Sequence, residues 1–316
     1  MPEELRAKIS MFTDVEEKNI IEAVDARTIY EVPLLFQKQG LKEIIEDTLH
    51  LEHKKTDLTE WQKLVDNIVS PTKEIHIAIV GKYAELEDAY MSVREALVHA
   101  GAKYAIKVKR HWINAEDIEE NPELLAELRK NGQLDGMIVP GGFGSRGIEW
   151  KVTAIKYARE NNIPFLGICL GLQLSVVEFA RNVCGVADAT STEFEKPGTP
   201  FIDYLPDQND TVNKGGTLRL GTQEANVMEG SLIHKLYGSM TISDRHRHRY
   251  EVCPDKHEIL RSHGLVLSGT SHEGRLVEYI ENPACKYFVA TQAHPEFKSR
   301  PGKPHPLFDG LVKVCI

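Results

Sequence analysis

Phe165-Leu166-Gly167-Ile168-Cys169-Leu170-Gly171-Leu172-Gln173 passes from a short apolar run directly into an amphipathic one, with a glycine two residues to either side of a cysteine. Residues 163–168 carry no charged side chain and read as a strand buried on both faces. G-x-C-x-G between strand and helix is a cysteine version of the nucleophile elbow, the sharp turn that raises a reactive side chain above the edge of a sheet. Glycines suit such a turn because side chains there would collide with neighbouring backbone. The positive N-terminal end of the following helix favours thiolate over thiol at Cys169. An isolated free cysteine is more often a buried core residue. Cys184, Cys253, Cys285 and Cys315 are read that way, and the elbow sets Cys169 apart.

Outward from the elbow, strand and helix patterns alternate. Residues 75–80 form an apolar strand closed by Gly81, and Ala89, Val93, Ala96, Leu97 and Ala100 make a helical stripe ending at Gly101. Ile106, Val108, Arg110 and Trp112 alternate as a strand, and Asn121-Pro122 suits the N-cap and first position of the next helix. Residues 134–139 are another buried strand, joined to the elbow strand by a helix over 150–159. This order predicts an α/β fold with a mainly parallel central sheet and helices on both faces. Beyond Arg181 the texture changes. Residues 197–216, rich in Pro, Asp, Asn and Gly, predict a long mobile loop. Strands at 217–220, 248–252, 265–268, 276–280 and 287–291 are expected to add antiparallel members to the sheet.

The N-terminal part is different. Its apolar sets, Ile9, Met11 and Phe12, then residues 30–36, then Leu41, Ile44, Ile45, Thr48 and Leu49, are too few to hold a core, so the segment is expected to dock on another domain. Residues 57–69 predict an amphipathic helix with Trp61, Leu64, Val65 and Ile68 on one face, a capping box of Asp57 and Glu60, and an end at Ser70-Pro71. Three parts are expected: 1–50, a helical linker over 51–72, and an α/β domain over 73–316.

With 316 residues, 41% of them hydrophobic, the chain can bury a substantial core. Its formal charge of −9 repels phosphate backbones, so no nucleic-acid partner is expected. No apolar run approaches the roughly 18 residues of a membrane span, and the opening residues are too polar for a secretory signal. No membrane partner and a cytoplasmic location follow as expectations. Five cysteines without a C-x-x-C pair argue against a disulfide framework and against zinc, and no metal site is expected.

A cysteine nucleophile needs a base. In His294-Pro295-Glu296, Pro295 disfavours helical geometry at His294, and an extended backbone would put His294 and Glu296 on one side. Glu296 could then hold one imidazole nitrogen and direct the other at Cys169. Alone, with thirteen histidines in the chain, the tripeptide would read as a surface turn. It gains weight by closing a strand, where an active-site rim lies. Pro140-Gly141-Gly142-Phe143-Gly144-Ser145-Arg146-Gly147 follows another strand. Its G-x-G-x-x-G match to a dinucleotide fingerprint is discounted, because it follows a later strand and no acidic residue ends the next strand at the expected distance. Gly142 is read as offering a backbone N–H to an oxyanion, with the Leu170 N–H as second donor; a plain glycine turn is the alternative. In Arg245-His246-Arg247-His248-Arg249, an alternating strand would put the arginines on one face, either to bind a carboxylate or phosphate or as a solvated edge.

Together Pro-Gly-Gly-Phe-Gly, Gly-Ile-Cys-Leu-Gly-Leu-Gln, Ser-Thr-Glu-Phe (191–194), Gly-Gly-Thr-Leu-Arg-Leu-Gly (215–221), Arg-His-Arg-His-Arg-Tyr and His-Pro-Glu-Phe resemble the CTP synthase family, a class I glutamine amidotransferase domain joined to a synthetase domain. The elbow and His-x-Glu are general to triad glutaminases, and the Arg-His-Arg-His-Arg and Gly-Gly-Thr-x-Arg-Leu-Gly segments are the specific ones. The resemblance covers nearly the whole chain, with 1–50 similar to the C-terminal end of the synthetase domain. It implies Cys169 as nucleophile, His294 as base and Glu296 as its partner. It implies Gly142, Leu170, Gly171, Leu172, Gln173, Glu193 and Arg249 as L-glutamine contacts, Arg249 on the α-carboxylate and Glu193 on the ammonium, which suits their charges. It implies that Lys8 contacts UTP, that Val24, Asp25 and Ala26 lie at the ATP site, and that 215–221 is a lid linked to GTP as allosteric activator, with Leu218 where Met is more usual.

No cofactor is implied for the glutaminase, whereas ATP and Mg²⁺ belong to the synthetase half, and a homo-oligomer is implied for the complete enzyme. That half's phosphate-binding loop, metal-binding acids and most of its UTP site have no counterpart here, and no G-x-x-x-x-G-K-S/T occurs. CTP formation by this chain alone is not expected, and the chain is expected to be a truncated form, a fragment or half of a split enzyme. The expected reaction is glutamine hydrolysis to glutamate and ammonia, the ammonia serving the ATP-dependent amination of UTP. The rival readings are a γ-glutamyl hydrolase or peptidase on the same fold, a non-catalytic regulatory module and, last, a nicotinamide-binding oxidoreductase.

Overall fold

Short helices separated by turns account for residues 1–72: α1 (Glu3–Thr13), α2 (Val32–Lys38), α3 (Leu41–Thr48) and α4 (Thr59–Val69). Pro33 occupies the first turn of α2, where its missing N–H costs nothing, and Gly40, at φ +76°, turns the chain into α3. The computed structural model describes residues 1–82, 86–194, 197–205 and 218–316, which form two compact units, Met1–Thr72 and Lys73–Ile316. In the first unit no residue of α1 is buried, and Met11 and Phe12 are 70% and 81% exposed. α4 packs within this unit: the Trp61 indole N–H donates to the Tyr30 carbonyl at 2.7 Å, and Leu64 and Val65 are buried. The expected capping box does not form. Asp57 instead accepts from the Thr59 amide at 2.9 Å, and the helix starts at Thr59.

The second unit follows the predicted alternation. Its elements are β1 (Lys73–Gly81), α5 (Met91–Lys103), β2 (Ile106–Asn114), α6 (Ala115–Glu120), α7 (Leu124–Lys130), β3 (Gly136–Val139), α8 (Ile148–Glu160), β4 (Phe165–Ile168) and α9 (Leu170–Asn182), then β5 (Ala189–Ser191), β6 (Thr199–Tyr204), β7 (Arg219–Val227), α10 (Leu232–Tyr237), β8 (Thr241–His248), β9 (Tyr250–Val252), α11 (His257–Ser262), β10 (Val266–Ser271), β11 (Leu276–Glu281), β12 (Phe288–Thr291) and α12 (Pro306–Cys315). Among the described residues nine strands form one sheet in the order β2-β1-β3-β4-β12-β11-β10-β7-β8, and β5-β6-β9 form a second. Pairing is parallel from β2 to β12 and antiparallel from β12 to β8. The sheet is covered on both sides, as the apolar runs require. Ile77 and Ile79 join the cluster with Leu166, Val289 and α12, while Ala78 and Val80 join the cluster with Phe165 and α8.

Three local expectations are corrected. Asn121 does not open a helix. It follows α6, and its side chain accepts from the Glu123 amide at 3.1 Å, with α7 starting at Leu124. Asn114 and Asp117 make the capping box here, for a helix that its single short apolar face concealed. Residues 199–204, expected in a loop, are β6, paired with β5 and β9; residues 206–216 of that loop lie outside the described residues, as do 215–217 of the expected lid. The strand expected over 248–252 breaks at Arg249, which separates β8 from β9 and puts them in different sheets. Among the described residues no helix is long and apolar enough to cross a membrane.

Candidate active site

β3, β4 and β12 are neighbours and parallel, so their C-terminal ends lie on one edge of the sheet. The Gly141-Gly142 loop leaves β3, Cys169 leaves β4 and His294 follows β12. Topology therefore delivers three segments far apart in sequence to one place, as open α/β sheets do.

At the elbow Cys169 has φ 53° and ψ −101°, an unusual conformation for a residue with a side chain. Its amide donates to the Thr291 carbonyl at 2.7 Å, which fastens the turn to β12. The flanking glycines are required by space. A Cβ at Gly171 would lie 2.2 Å from the Val139 carbonyl oxygen, and one at Gly167 would lie 2.8 Å from Ala290 Cβ and from the Gly171 backbone. Leu170, Gly171, Leu172 and Gln173 form the buried first turn of α9.

His294 donates from Nδ1 to Glu296 Oε1 at 2.7 Å, which leaves Nε2 free for a second partner. The pair is made differently from the extended geometry expected. His294 itself is non-helical, but Pro295–Phe297 form a 3-10 turn that brings Glu296 back to the ring. The His294 amide donates to the Arg245 carbonyl at 2.7 Å, so β8 sets its height. Burial works against a charge on His294, yet its contacts with Cys169 and Glu296 prevail and push it up to about 10. A Cβ on Gly141 would approach His294 Cε1 to 2.8 Å, so only glycine lets the loop pass the ring.

Cys169, His294, Glu296, Gly141 and Gly142 line one cavity of about 380 Å³, walled by Tyr90, Phe143, Arg247 and Phe297. Among the described residues neither the Gly142 nor the Leu170 amide has a hydrogen-bond acceptor. Gly142 lies beside Leu170, a Cβ on it being 3.5 Å from Leu170 Cδ2. Glu193, half-buried, accepts from the Gly144 amide at 2.8 Å. Burial raises its carboxyl, opposed by that amide and by Lys151, Arg249 and Lys82. Arg249 is buried at the break between β8 and β9 and does not share the exposed face of Arg245 and Arg247. Neither Glu193 nor Arg249 lines the cavity wall, nor do residues 170–173. In the first unit Lys8, Val24 and Asp25 are exposed and Ala26 half-buried; Lys8 is on α1 and the other three lie on an irregular stretch.

Three contributors escaped the sequence reading. The Arg247 carbonyl accepts from Cys169 Sγ at 3.8 Å, while its guanidinium lies 5.8 Å over the Phe143 ring. Gln292 lies 3.6 Å from the sulfur. Lys151 of α8 is 3% exposed, and burial pushes it down to about 8. A backbone acceptor leaves no trace in side-chain pattern, whereas a glutamine closing an apolar strand two residues before the histidine was a readable signal. The opposite face of β8 is a polar core: His246, His248 and Glu278 have metal-like spacing, but Arg219 already lies 2.6 Å from Glu278 and 3.4 Å from His248 Nε2. Burial drives His246 to about 2 and His248 to about 3, so both are neutral there.

A family model described as Glutamine amidotransferase class-I matches residues 85–314. The chain belongs to that family. A second model, CTP synthase N-terminus, matches residues 1–51 of this amidotransferase. It is 56% identical over 317 aligned residues to a CTP synthase of Methanocaldococcus jannaschii, covering 99% of this chain and 59% of that protein. It is 50% identical to a CTP synthase of Desulfitobacterium hafniense, covering 99% and 58%. The chain thus spans about three-fifths of the length of these curated relatives. A solved structure titled as the glutaminase domain of Trypanosoma brucei CTPS with bound acivicin aligns with a TM-score of 0.70 at 36% identity, covering 76% of this chain and 93% of that one. The likeness to CTP synthases read from the motifs holds from end to end of the amidotransferase.

Proposed function

We propose that this chain hydrolyses L-glutamine to glutamate and ammonia at Cys169, His294 and Glu296, and that the ammonia serves a synthetase site that aminates UTP to CTP. The observation that carries the reading is the shared cavity, in which the elbow sulfur and an imidazole oriented by a carboxylate at 2.7 Å face the same space. The thiolate adds to the amide carbon, and the Gly142 and Leu170 N–H groups receive the oxyanion. Collapse of the adduct breaks the C–N bond, His294 gives its proton to the departing nitrogen, and a glutamyl thioester is left. Water, giving a proton to the same imidazole, cleaves the thioester and returns the electron pair to sulfur. Glu193 and Arg249 would take the ammonium and carboxylate of the free amino acid, a choice their opposite charges support. Gln173 and its neighbours would shape the glutamine subsite at the start of α9.

The synthetase reading is supported by the 1–51 match and by the named relatives. Lys8 would contact UTP, and Val24, Asp25 and Ala26 ATP, in a domain that also supplies Mg²⁺ sites. The bare apolar side chains of Met11 and Phe12 are what a docking segment would present. GTP as activator, a homo-oligomer and a cytoplasmic location complete the proposal. Cys169→Ala is expected to abolish glutamate release from glutamine while the thermal unfolding curve stays unchanged. Full glutaminase activity in that variant overturns the assignment.

A further inference from the structure

Gln292 follows β12 and is 1% exposed, with its backbone N–H held by the Glu278 carbonyl at 2.9 Å. Its side chain is the middle of a chain of amides. Gln292 Nε2 lies 3.6 Å from Cys169 Sγ, its Oε1 lies 3.2 Å from Gln173 Nε2, and Gln173 Nε2 lies 3.1 Å from the Tyr250 carbonyl oxygen. A backbone carbonyl can only accept, so the Tyr250 oxygen fixes which end of the Gln173 amide carries the NH₂. The second proton of that NH₂ faces Gln292, which must therefore present its oxygen there. The remaining end of Gln292, an NH₂, is left pointing at the sulfur.

Besides His294, the sulfur has a hydrogen-bond acceptor in the Arg247 carbonyl at 3.8 Å. That carbonyl can accept a proton from a thiol but offers nothing to a thiolate. The two contacts therefore favour opposite states, Arg247 the thiol and Gln292 the thiolate.

We propose that Gln292 is a catalytic residue that donates a hydrogen bond to the Cys169 thiolate, with Gln173 as the positioning residue that holds the Gln292 amide with its NH₂ toward the sulfur. This rests on the reading of Cys169 as nucleophile. The bond acts twice in a turnover. It holds the anionic sulfur before attack, and it receives the sulfur again when water cleaves the thioester and the C–S electron pair returns to it. In the neutral thioester the contact is weak, so the effect is selective for the charged states.

The test is alkylation of the full chain by iodoacetamide, an uncharged reagent, followed over a pH range and located by mass spectrometry of the Cys169 peptide. Among the described residues the charged groups lining the cavity are Lys82, Asp88, Arg247, His294 and Glu296, and none is altered by Gln292→Met. Gln292→Met is expected to slow alkylation at neutral pH about ten-fold and move its midpoint upward by about one pH unit, the size of one charge-assisted hydrogen bond. Gln292→Glu, which turns a carboxylate toward the sulfur, is expected to move it further, and Gln173→Met to fall between Gln292→Met and the parent. In Gln292→Met, kcat for glutamate release falls while KM for glutamine changes little. A Gln292→Met midpoint equal to that of the parent overturns the proposal; should that variant fail to fold, an unchanged midpoint in Gln173→Met overturns it instead. No alkylation at Cys169 in the parent chain overturns the nucleophile reading as well, whereas parent-like profiles in variants labelled at Cys169 overturn only the role of Gln292.

Discussion

His294 carries opposite influences on one ring: burial opposes its charge, while Cys169 and Glu296 hold it, and the balance lies at about 10. An unfolded histidine titrates near 6.5. The folded state therefore keeps a proton that the unfolded chain releases between these values, so this group's contribution to stability is full below about 6.5 and is lost as pH rises through about 10. Melting temperature is expected to fall more steeply from pH 7 to 10 in the parent than in His294→Gln; parallel slopes would contradict the assignment. At this scale the sequence was informative wherever a side chain is itself the chemistry. Cys169, His294 and Glu296 were legible as candidates because thiol, imidazole and carboxylate stood in recognisable local contexts, and the structure gathers them at one cavity. Arg249 was misread as sharing a face with Arg245 and Arg247, because a strand break one residue wide has no signature in an alternating pattern. The carbonyls of Arg245 and Arg247, which hold His294 and the sulfur, could not be read at all, since every residue has one.

At the scale of elements, the β4–α9 turn is where packing leaves least freedom. Gly171 is pressed against the Val139 carbonyl, where a methyl group would sit at 2.2 Å, so α9 cannot accommodate alanine without moving away from β3. Gly171→Ala is expected to cost about 3 kcal/mol or more, read as a lower urea midpoint with unchanged slope. Loss of glutaminase activity should accompany it, because the same shift displaces Cys169. A midpoint within error of the parent would mean that the turn yields more easily than its contacts imply. Most elements of the second unit were legible from period and turn residues. The misses include α6, whose six residues give fewer than two helical turns, and β6, whose Thr-Pro-Phe-Ile-Asp-Tyr owes its strand form to β5 and β9 rather than to local preference; β5, α10, α11 and α12, all beyond the change of texture at Arg181, were missed as well.

At the scale of the whole molecule, the two units differ in what holds them. Residues 73–316 carry two extensive apolar clusters, one on each face of the sheet, whereas α1 buries nothing. Expressed alone, residues 73–316 are expected to melt cooperatively and to keep Cys169 reactive to iodoacetamide, while residues 1–72 alone should melt without a cooperative transition. A non-cooperative 73–316 fragment would refute this division of stability. Local patterns carried the α/β class, the elbow and the candidate thiol, imidazole and carboxylate, because periodicity, glycine placement and side-chain chemistry are local properties. That β3, β4 and β12 stand adjacent and parallel, which brings three distant loops to one edge, came from long-range packing alone. It alone also decided which carbonyls and amides surround the sulfur, because strand order and hydrogen-bond partners arise from packing between segments that no local pattern connects.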